Sequence, residues 1–220
     1  AARASHPASP MRQLLLDLIP DTPPTLENFA PGGNADALTA LAGWLAPENR
    51  ETCLLLWGES GAGKTHLLRA SGGEYHDAAA DPGLQQGTEA LFLAIDNVEA
   101  LNGDGQIALF NHFNRLRAAG GRLLAAAQLP PLQLDLREDL RTRLGSGLIF
   151  RLRPLSDEEK VAILSEQAKK RGMRLSREAL DYILARAPRD MRSLSAFLAA
   201  LDRYSLEQKR PLTLPLLREV

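Results

Sequence analysis

A glycine-rich octapeptide, GESGAGKT, matches the phosphate-binding pattern G-x-x-x-x-G-K-T at every fixed position. Its glycines let consecutive backbone N–H groups surround phosphate oxygens, and the N-terminus of a following helix adds favourable charge. Lys64 is expected to reach the β- and γ-phosphates of a nucleotide, with the Thr65 hydroxyl facing magnesium. A glycine-rich turn with an incidental lysine is the alternative interpretation. The predicted nucleotide-binding residues here are Gly58, Glu59, Ser60, Gly61, Ala62, Gly63, Lys64, Thr65 and His66.

A second candidate residue for the nucleotide site is Asp96, which directly follows the apolar run LFLAI. At the carboxyl edge of a parallel sheet it would act as a Walker B aspartate, holding magnesium through a water molecule. For Asp96 alone, a helix cap after a strand is a fair competitor. The next residue, Asn97, carries an amide that cannot accept a proton, so we expect poor hydrolysis by the isolated protein.

Two arginines stand at predicted helix ends, Arg143 at the end of one helix and Arg192 in the first turn of another. A solvated helix end is the alternative for both, and we prefer it for Arg137 and Arg141. A cation is poorly suited to the positive end of a helix, so a nearby phosphate would explain Arg192 better. Gln128, after the third predicted strand, could contact a γ-phosphate or satisfy a turn.

Apolar runs alternate with helical patterns and would position these side chains. Continuous apolar runs over 52–57, 91–95, 122–127 and 147–152 predict strands. Helices are predicted over 35–46, after the octapeptide, and around 136–144, and residues 74–89 show no clear pattern. A further helix is marked by apolar residues at three-residue steps: Ile107, Phe110, Phe113 and Leu116. The alternation predicts an α/β fold with a parallel sheet covered by helices on both sides.

The character of the chain changes after Pro154, where no further strand is predicted. Ser156 and Glu159 form a capping box for a helix over 157–171, and Ser176 and Asp190 open two more. A last short helix is predicted after residue 213. The predicted domains are a flexible tail over 1–24, an α/β nucleotide-binding domain over 25–154 and a small helical lid over 155–220.

Composition excludes several classes of protein. The chain has 220 residues, 45% of them hydrophobic, and a net charge of -1, which argues against holding DNA mainly through phosphates. No apolar run approaches the roughly 20 residues of a membrane span. A single cysteine, Cys53, allows no disulfide framework, and residues 1–10 lack the apolar core of a signal peptide. We therefore expect a cytoplasmic protein without membrane attachment.

The chain resembles the AAA+ superfamily and, within it, the regulatory inactivators of the DnaA clade. The resemblance covers nearly all of 12–220. Besides the octapeptide, it is carried by QLLLDL, TLENFAPGGNADAL, IDNVEAL, PPLQLDLREDLRTRL, RLRPLSDEEK and RDMRSLSAFLAALD. It implies that Arg143 is an arginine finger acting in trans on DnaA-bound ATP. It also implies that Arg192 is a sensor-2 arginine contacting this chain's own nucleotide, expected to be ADP. A short segment between Thr65 and Asp96 favours a regulator over an initiator.

The same resemblance implies a role for the apolar stretch QLLLDL near the start of the chain. It would dock in extended form on the DNA polymerase III sliding clamp, so that DNA is reached indirectly, with Asp17 where the family often has proline. The alternative is that these leucines cover the protein's own core. The predicted clamp-binding residues, which fit Q-L-x-L-x-L spacing, are Gln13, Leu14, Leu16 and Leu18.

The expected function is negative regulation of replication initiation, with ADP or ATP and Mg²⁺ as cofactors and DnaA and the clamp as partners. The alternative is an AAA+ ATPase acting on its own, such as a helicase loader or a truncated initiator. A P-loop kinase is disfavoured, because the helical segment follows the strands instead of being inserted between them. A homodimer or higher oligomer stays open.

Overall fold

The computed structural model describes residues 23–85, 87–186 and 190–208. The chain divides into two compact units, one over Pro23–Leu155 and one that includes the residues from Ser156 onward. No helix in these described ranges has the length and apolar character needed to cross a membrane.

The first unit is a sheet of five parallel strands in the order β2-β3-β4-β1-β5. The strands are β1 (Cys53–Trp57), β2 (Glu74–Asp77), β3 (Phe92–Asp96), β4 (Arg122–Ala127) and β5 (Leu148–Arg151). Its helices are α1 (Ala35–Leu45), α2 (Lys64–Ala70), α3 (Gly103–Ala119) and α4 (Glu138–Gly145). Short 3₁₀ turns lie at Gly32–Asn34, Val98–Ala100 and Pro131–Gln133.

The sheet is buried on both faces, which explains its continuous apolar strands. In β1, Leu55 packs into one apolar cluster, while Leu54 and Leu56 pack into another. All three leucines have no exposed surface. The predicted parallel α/β architecture is therefore confirmed, with element bounds shifted by a residue or two.

Residues 74–89, for which the sequence predicted no element, contain the strand β2. This strand, EYHD, lies at the edge of the sheet and pairs only with β3 among the described strands. All four of its side chains are exposed or half-buried. An edge strand needs no apolar run, so apolar patterning could not reveal it.

The three-residue spacing correctly marks helix α3 but does not coincide with its buried stripe. Ile107 is 43% exposed, whereas Leu109, outside that pattern, is fully buried. The buried stripe consists of Gly105, Leu109, Phe113 and Leu116. Steps of three drift around a helix of 3.6 residues per turn, so the first member of the series leaves the buried face.

The second unit is helical in its described part, with α5 (Asp157–Lys170), α6 (Arg177–Arg186) and α7 (Met191–Gln208). The predicted capping box is present: the Glu159 N–H donates to Ser156 Oγ, and the Ser156 N–H donates to Glu159 Oε2. Asp190 Oδ1 accepts from the Ser193 N–H at 2.8 Å, as expected of a helix cap. The helix expected after residue 213 lies outside the described residues.

Candidate nucleotide-binding site

The glycine-rich loop connects the end of β1 to the start of α2. Gly58 has φ 152°, and a Cβ there would lie 2.1 Å from the carbonyl oxygen of Leu152. Gly63 has φ 93°, and a Cβ there would lie 2.7 Å from the Phe29 ring. Only glycine fits both the backbone conformation and the space at these two positions.

Lys64 is held at this loop with only 8% of its surface exposed. Its Nζ donates to the carbonyl oxygens of Gly58 at 2.6 Å and Glu59 at 2.9 Å. Burial lowers the pKa of Lys64, and the negative charges of Asp96 and Glu99 act in the opposite direction. An ammonium beside its own loop carbonyls can turn to phosphate oxygens without crossing the protein interior.

Thr65 and Asp96 meet although 31 residues separate them. The Thr65 hydroxyl donates to Asp96 Oδ2 at 2.5 Å, and the Tyr75 hydroxyl donates to the same oxygen at 3.2 Å. The Asn97 N–H donates to Asp96 Oδ1 at 3.0 Å. With only 1% of its surface exposed, Asp96 is a well-oriented buried carboxylate.

The oxygen atoms of Thr65 and Asp96 suit Mg²⁺, which usually binds one or two protein groups together with phosphates and water. Within the described ranges, no group of three or more His, Cys, Asp or Glu side chains could hold a metal ion. Thr65 and Asp96 could supply two oxygen ligands to Mg²⁺, with phosphate and water oxygens as the others.

Sequence reasoning missed the contribution of β2 to this site. Asp77 Oδ1 accepts from Asn97 Nδ2 at 2.8 Å, and Tyr75 approaches Asp96 from the same strand. The Arg69 guanidinium lies 4.5 Å from the centre of the Tyr75 ring. Burial raises the pKa of Tyr75, and the Asp96 charge raises it further. The pairing of Asp77 with Asp96 across the sheet places these groups together.

Glu99 is a further acidic residue to which the sequence pattern assigned no role. It lies in the 3₁₀ turn Val98–Ala100, three residues after Asp96. Both of its carboxylate oxygens are buried without a hydrogen-bond partner among the described residues.

His66 contacts the segment that leads into the first unit. Its Nε2 lies 2.9 Å from the Thr25 carbonyl oxygen, and its ring centre lies 5.4 Å from that of Phe29. These contacts link the entry segment to the start of α2.

Arg143 lies in the last turn of α4, with its guanidinium 5.9 Å from the ring centres of Phe110 and Phe113. It is half-buried and borders two cavities of about 720 and 310 Å³. Cys53 and Gly147 line the smaller cavity, at the amino ends of β1 and β5. The glycine-rich loop follows the carboxyl end of β1. Arg143 therefore lies near the amino ends of the strands, on the opposite side of the sheet from this loop.

The remaining predicted residues lie in the second unit or outside the described residues. Arg192 lies in the first turn of α7, in the second unit, and its contact with a nucleotide stays a prediction. The four tail residues Gln13, Leu14, Leu16 and Leu18 lie outside the described residues.

A five-stranded parallel sheet with a glycine-rich loop after β1 and an aspartate ending β3 defines a P-loop nucleotide-binding fold of the AAA+ type. DnaA from Aquifex aeolicus, solved with AMPPCP bound, is 26% identical with a TM-score of 0.66, covering 84% of this chain and 66% of that one. Domain III of Thermotoga maritima DnaA is 24% identical with a TM-score of 0.64, covering 87% and 92%. The Holliday junction branch migration motor RuvB of Thermotoga maritima shares the fold alone, at 20% identity and a TM-score of 0.58, covering 88% and 68%.

Residues 157–220 match the family model described as Hda, lid domain. The chain therefore has a DnaA-like AAA+ fold, and its residues 157–220 match the lid domain of Hda. This confirms the resemblance to the DnaA clade seen in the sequence.

Proposed function

We propose that this protein is a negative regulator of DNA replication initiation. It binds ADP or ATP with Mg²⁺, docks on the DNA polymerase III sliding clamp, and promotes hydrolysis of ATP bound to DnaA. The lid-domain match and the DnaA-like fold support the link to DnaA. The observation that carries the proposal is the position of Arg143, which lies across the sheet from this chain's own phosphate-binding loop.

Nucleotide binding is the first step of the proposed mechanism. The loop N–H groups and Lys64 would surround the phosphates, while Thr65 and Asp96 would hold Mg²⁺, which neutralises phosphate charge when bound. The glycine conformations and the buried Thr65–Asp96 pair support this assignment. The DnaA of Aquifex aeolicus, which has a similar fold, was solved with AMPPCP bound, and this supports nucleotide binding by the fold.

Arg143 acts on a partner's nucleotide in this proposal. β1 spans five residues, so its amino and carboxyl ends lie roughly 15 Å apart. This distance is longer than an arginine side chain. Arg143 cannot serve the nucleotide of its own chain across that distance. The open cavities beside it leave its guanidinium accessible to a second protein, and its charge would stabilise the phosphoryl group in transfer.

The experiment is DnaA ATP hydrolysis measured with and without this protein and DNA-loaded clamp. Arg143→Ala is expected to lose the stimulation, since an arginine finger contributes about 10³–10⁵ in rate. Arg143→Lys should restore little, because lysine lacks the planar bidentate fork. Arg141→Ala, two residues away on α4, is the matched control and should stimulate like wild type.

Stimulation by Arg143→Ala equal to that of wild type would overturn the role in trans. The alternative, an ATPase acting on its own, is tested by turnover of the purified chain without partners. We expect that turnover to stay well below about 1 s⁻¹, since Asn97 cannot accept a proton from the attacking water. Rapid turnover in isolation would favour the alternative.

A further inference from the structure

We propose that Tyr75 is a positioning residue for magnesium at the nucleotide site, because its hydroxyl orients the carboxylate of Asp96. The inference rests on the proposed nucleotide-binding function and adds to it a residue from the edge strand β2. Tyr75 acts on the ion only through Asp96. Its removal should therefore change how strongly nucleotide binding depends on magnesium, and leave nucleotide binding without magnesium unchanged.

The carboxylate of Asp96 is held by three donors, two of them hydroxyl groups. Thr65 donates to Oδ2 at 2.5 Å, and Tyr75 donates to the same oxygen at 3.2 Å. The Asn97 N–H donates to Oδ1 at 3.0 Å. A carboxylate oxygen has two acceptor positions, so the described residues fill both positions on Oδ2 and one on Oδ1. The remaining position on Oδ1 can accept a proton from a magnesium-bound water molecule.

The Thr65 bond by itself does not fix this orientation when the ion is present. Thr65 is the other expected magnesium ligand, and its hydroxyl has one proton and two lone pairs to divide between Asp96 and the ion. Tyr75 has no second role at the site, so its bond to Oδ2 serves orientation alone. Asp96 is only 1% exposed, and few water molecules can replace a lost donor.

Tyr75 is itself held in place by both neighbouring elements. It pairs with Ala94 in the register of β2 with β3, and its half-buried ring packs against the apolar cluster that contains Leu54. The Arg69 guanidinium lies 4.5 Å from the centre of the ring, within the range of a cation–π contact.

These contacts form a closed circuit around the magnesium site. Thr65 and Arg69 are four residues apart on α2, so they lie on the same face of the helix. Thr65 contacts Asp96 directly, and Arg69 contacts it through Tyr75. The circuit ties the orientation of Asp96 to the helix that follows the glycine-rich loop.

Groups that orient a metal ligand typically change metal affinity by about 10–100-fold when they are removed. A carboxylate that serves Mg²⁺ must be placed closely, since this ion requires nearly octahedral geometry. Tyr75→Phe removes the hydroxyl and keeps the ring, its packing and its contact with Arg69. The variant therefore isolates the hydrogen bond to Asp96.

The test is isothermal titration calorimetry of the full chain with ADP, at a series of MgCl₂ concentrations and in EDTA. In Tyr75→Phe, the magnesium concentration that gives half of the maximal gain in ADP affinity should rise by about tenfold. The ADP affinity in EDTA should change by less than about threefold. Electron paramagnetic resonance of Mn²⁺ with the ADP-bound chain measures ion binding directly, and should show the same tenfold loss.

Tyr182→Phe is the matched control, since this tyrosine of the second unit also lies beneath an arginine, with the Arg186 guanidinium 5.0 Å from its ring centre. It should change none of these quantities. Arg69→Gln removes the cation over the Tyr75 ring, and should raise the required magnesium concentration by less than Tyr75→Phe does.

An unchanged magnesium dependence in Tyr75→Phe, with ADP still bound, would overturn the inference and leave the nucleotide site intact. Equal weakening of ADP binding with magnesium and in EDTA would also overturn it, because Tyr75 would then serve the fold and not the ion. If wild type binds no ADP under any of these conditions, the proposed nucleotide-binding function fails, and this inference fails with it.

Discussion

Asn97 and Asp77 are joined by a hydrogen bond of 2.8 Å between the amide Nδ2 of the former and a carboxylate oxygen of the latter. Asn97 has φ 54°, a left-handed conformation that asparagine tolerates better than most residues. The edge strand β2 thereby fixes the amide that follows Asp96. The same Asp77 oxygen accepts from the Ala79 N–H at 3.0 Å, so its orientation is itself restrained.

Asn97→Asp should destabilise the first unit by about 1–3 kcal/mol, because it replaces this hydrogen bond with two facing carboxylates. Repulsion raises the pKa of such a pair in the folded state. The loss of stability should therefore be full near neutral pH and shrink as the pH falls toward about 4. Thermal unfolding as a function of pH measures both effects. Asn111→Asp, on the exposed surface of α3, is the control, and an equal loss there would contradict the prediction.

Lys64→Ala should weaken nucleotide binding by roughly a hundredfold or more, since a charge-assisted contact to phosphate in a partly desolvated site contributes a few kcal/mol. Titration of ADP into the purified variant measures this. Lys169→Ala, at an exposed position of α5, should bind like wild type. Equal affinity in the Lys64 variant would remove the glycine-rich loop from the proposed site.

Gly63→Ala should lower the unfolding temperature and weaken nucleotide binding. It imposes a positive φ of 93° on alanine and a Cβ 2.7 Å from the Phe29 ring, at a cost of at least about 1 kcal/mol. Gly43→Ala is the matched control, because that glycine lies within α1 with no atom within 4 Å of a new Cβ. It should stabilise the helix by roughly 0.5–1 kcal/mol. The same direction of change in both variants would contradict this account.

Leu16→Ala combined with Leu18→Ala should abolish clamp binding, since each buried leucine contributes roughly 1.5–3 kcal/mol. The unfolding temperature should stay nearly unchanged if the tail serves a partner and not the core. Surface plasmon resonance with immobilised clamp and thermal unfolding measure the two quantities. Leu206→Ala removes a leucine that is 70% exposed on α7 and should affect neither. A collapse of the unfolding temperature in the double variant would place these leucines in the protein's own fold.

The sequence by itself determined the central strands and the phosphate-binding loop. Strands β1, β3 and β4 are buried on both faces, so they must be apolar throughout and can be recognised without any knowledge of their neighbours. The phosphate-binding loop can also be recognised from the local sequence, because its conformation depends on glycines at fixed spacing. Helix caps such as Ser156 with Glu159 can also be recognised locally, because the two residues that bond to each other are three positions apart in the chain.

Only the tertiary structure decided which residues from other parts of the chain surround Asp96. Tyr75 and Asp77 come from an edge strand without an apolar pattern, and their relevance depends on its register with β3. The burial of Glu99 and its missing partner likewise depend on packing around the turn after β3. Local sequence specifies which strands are buried and where a loop can bind phosphate. Strand order and register, which arise from contacts between distant segments, decide which polar groups share one edge of the sheet.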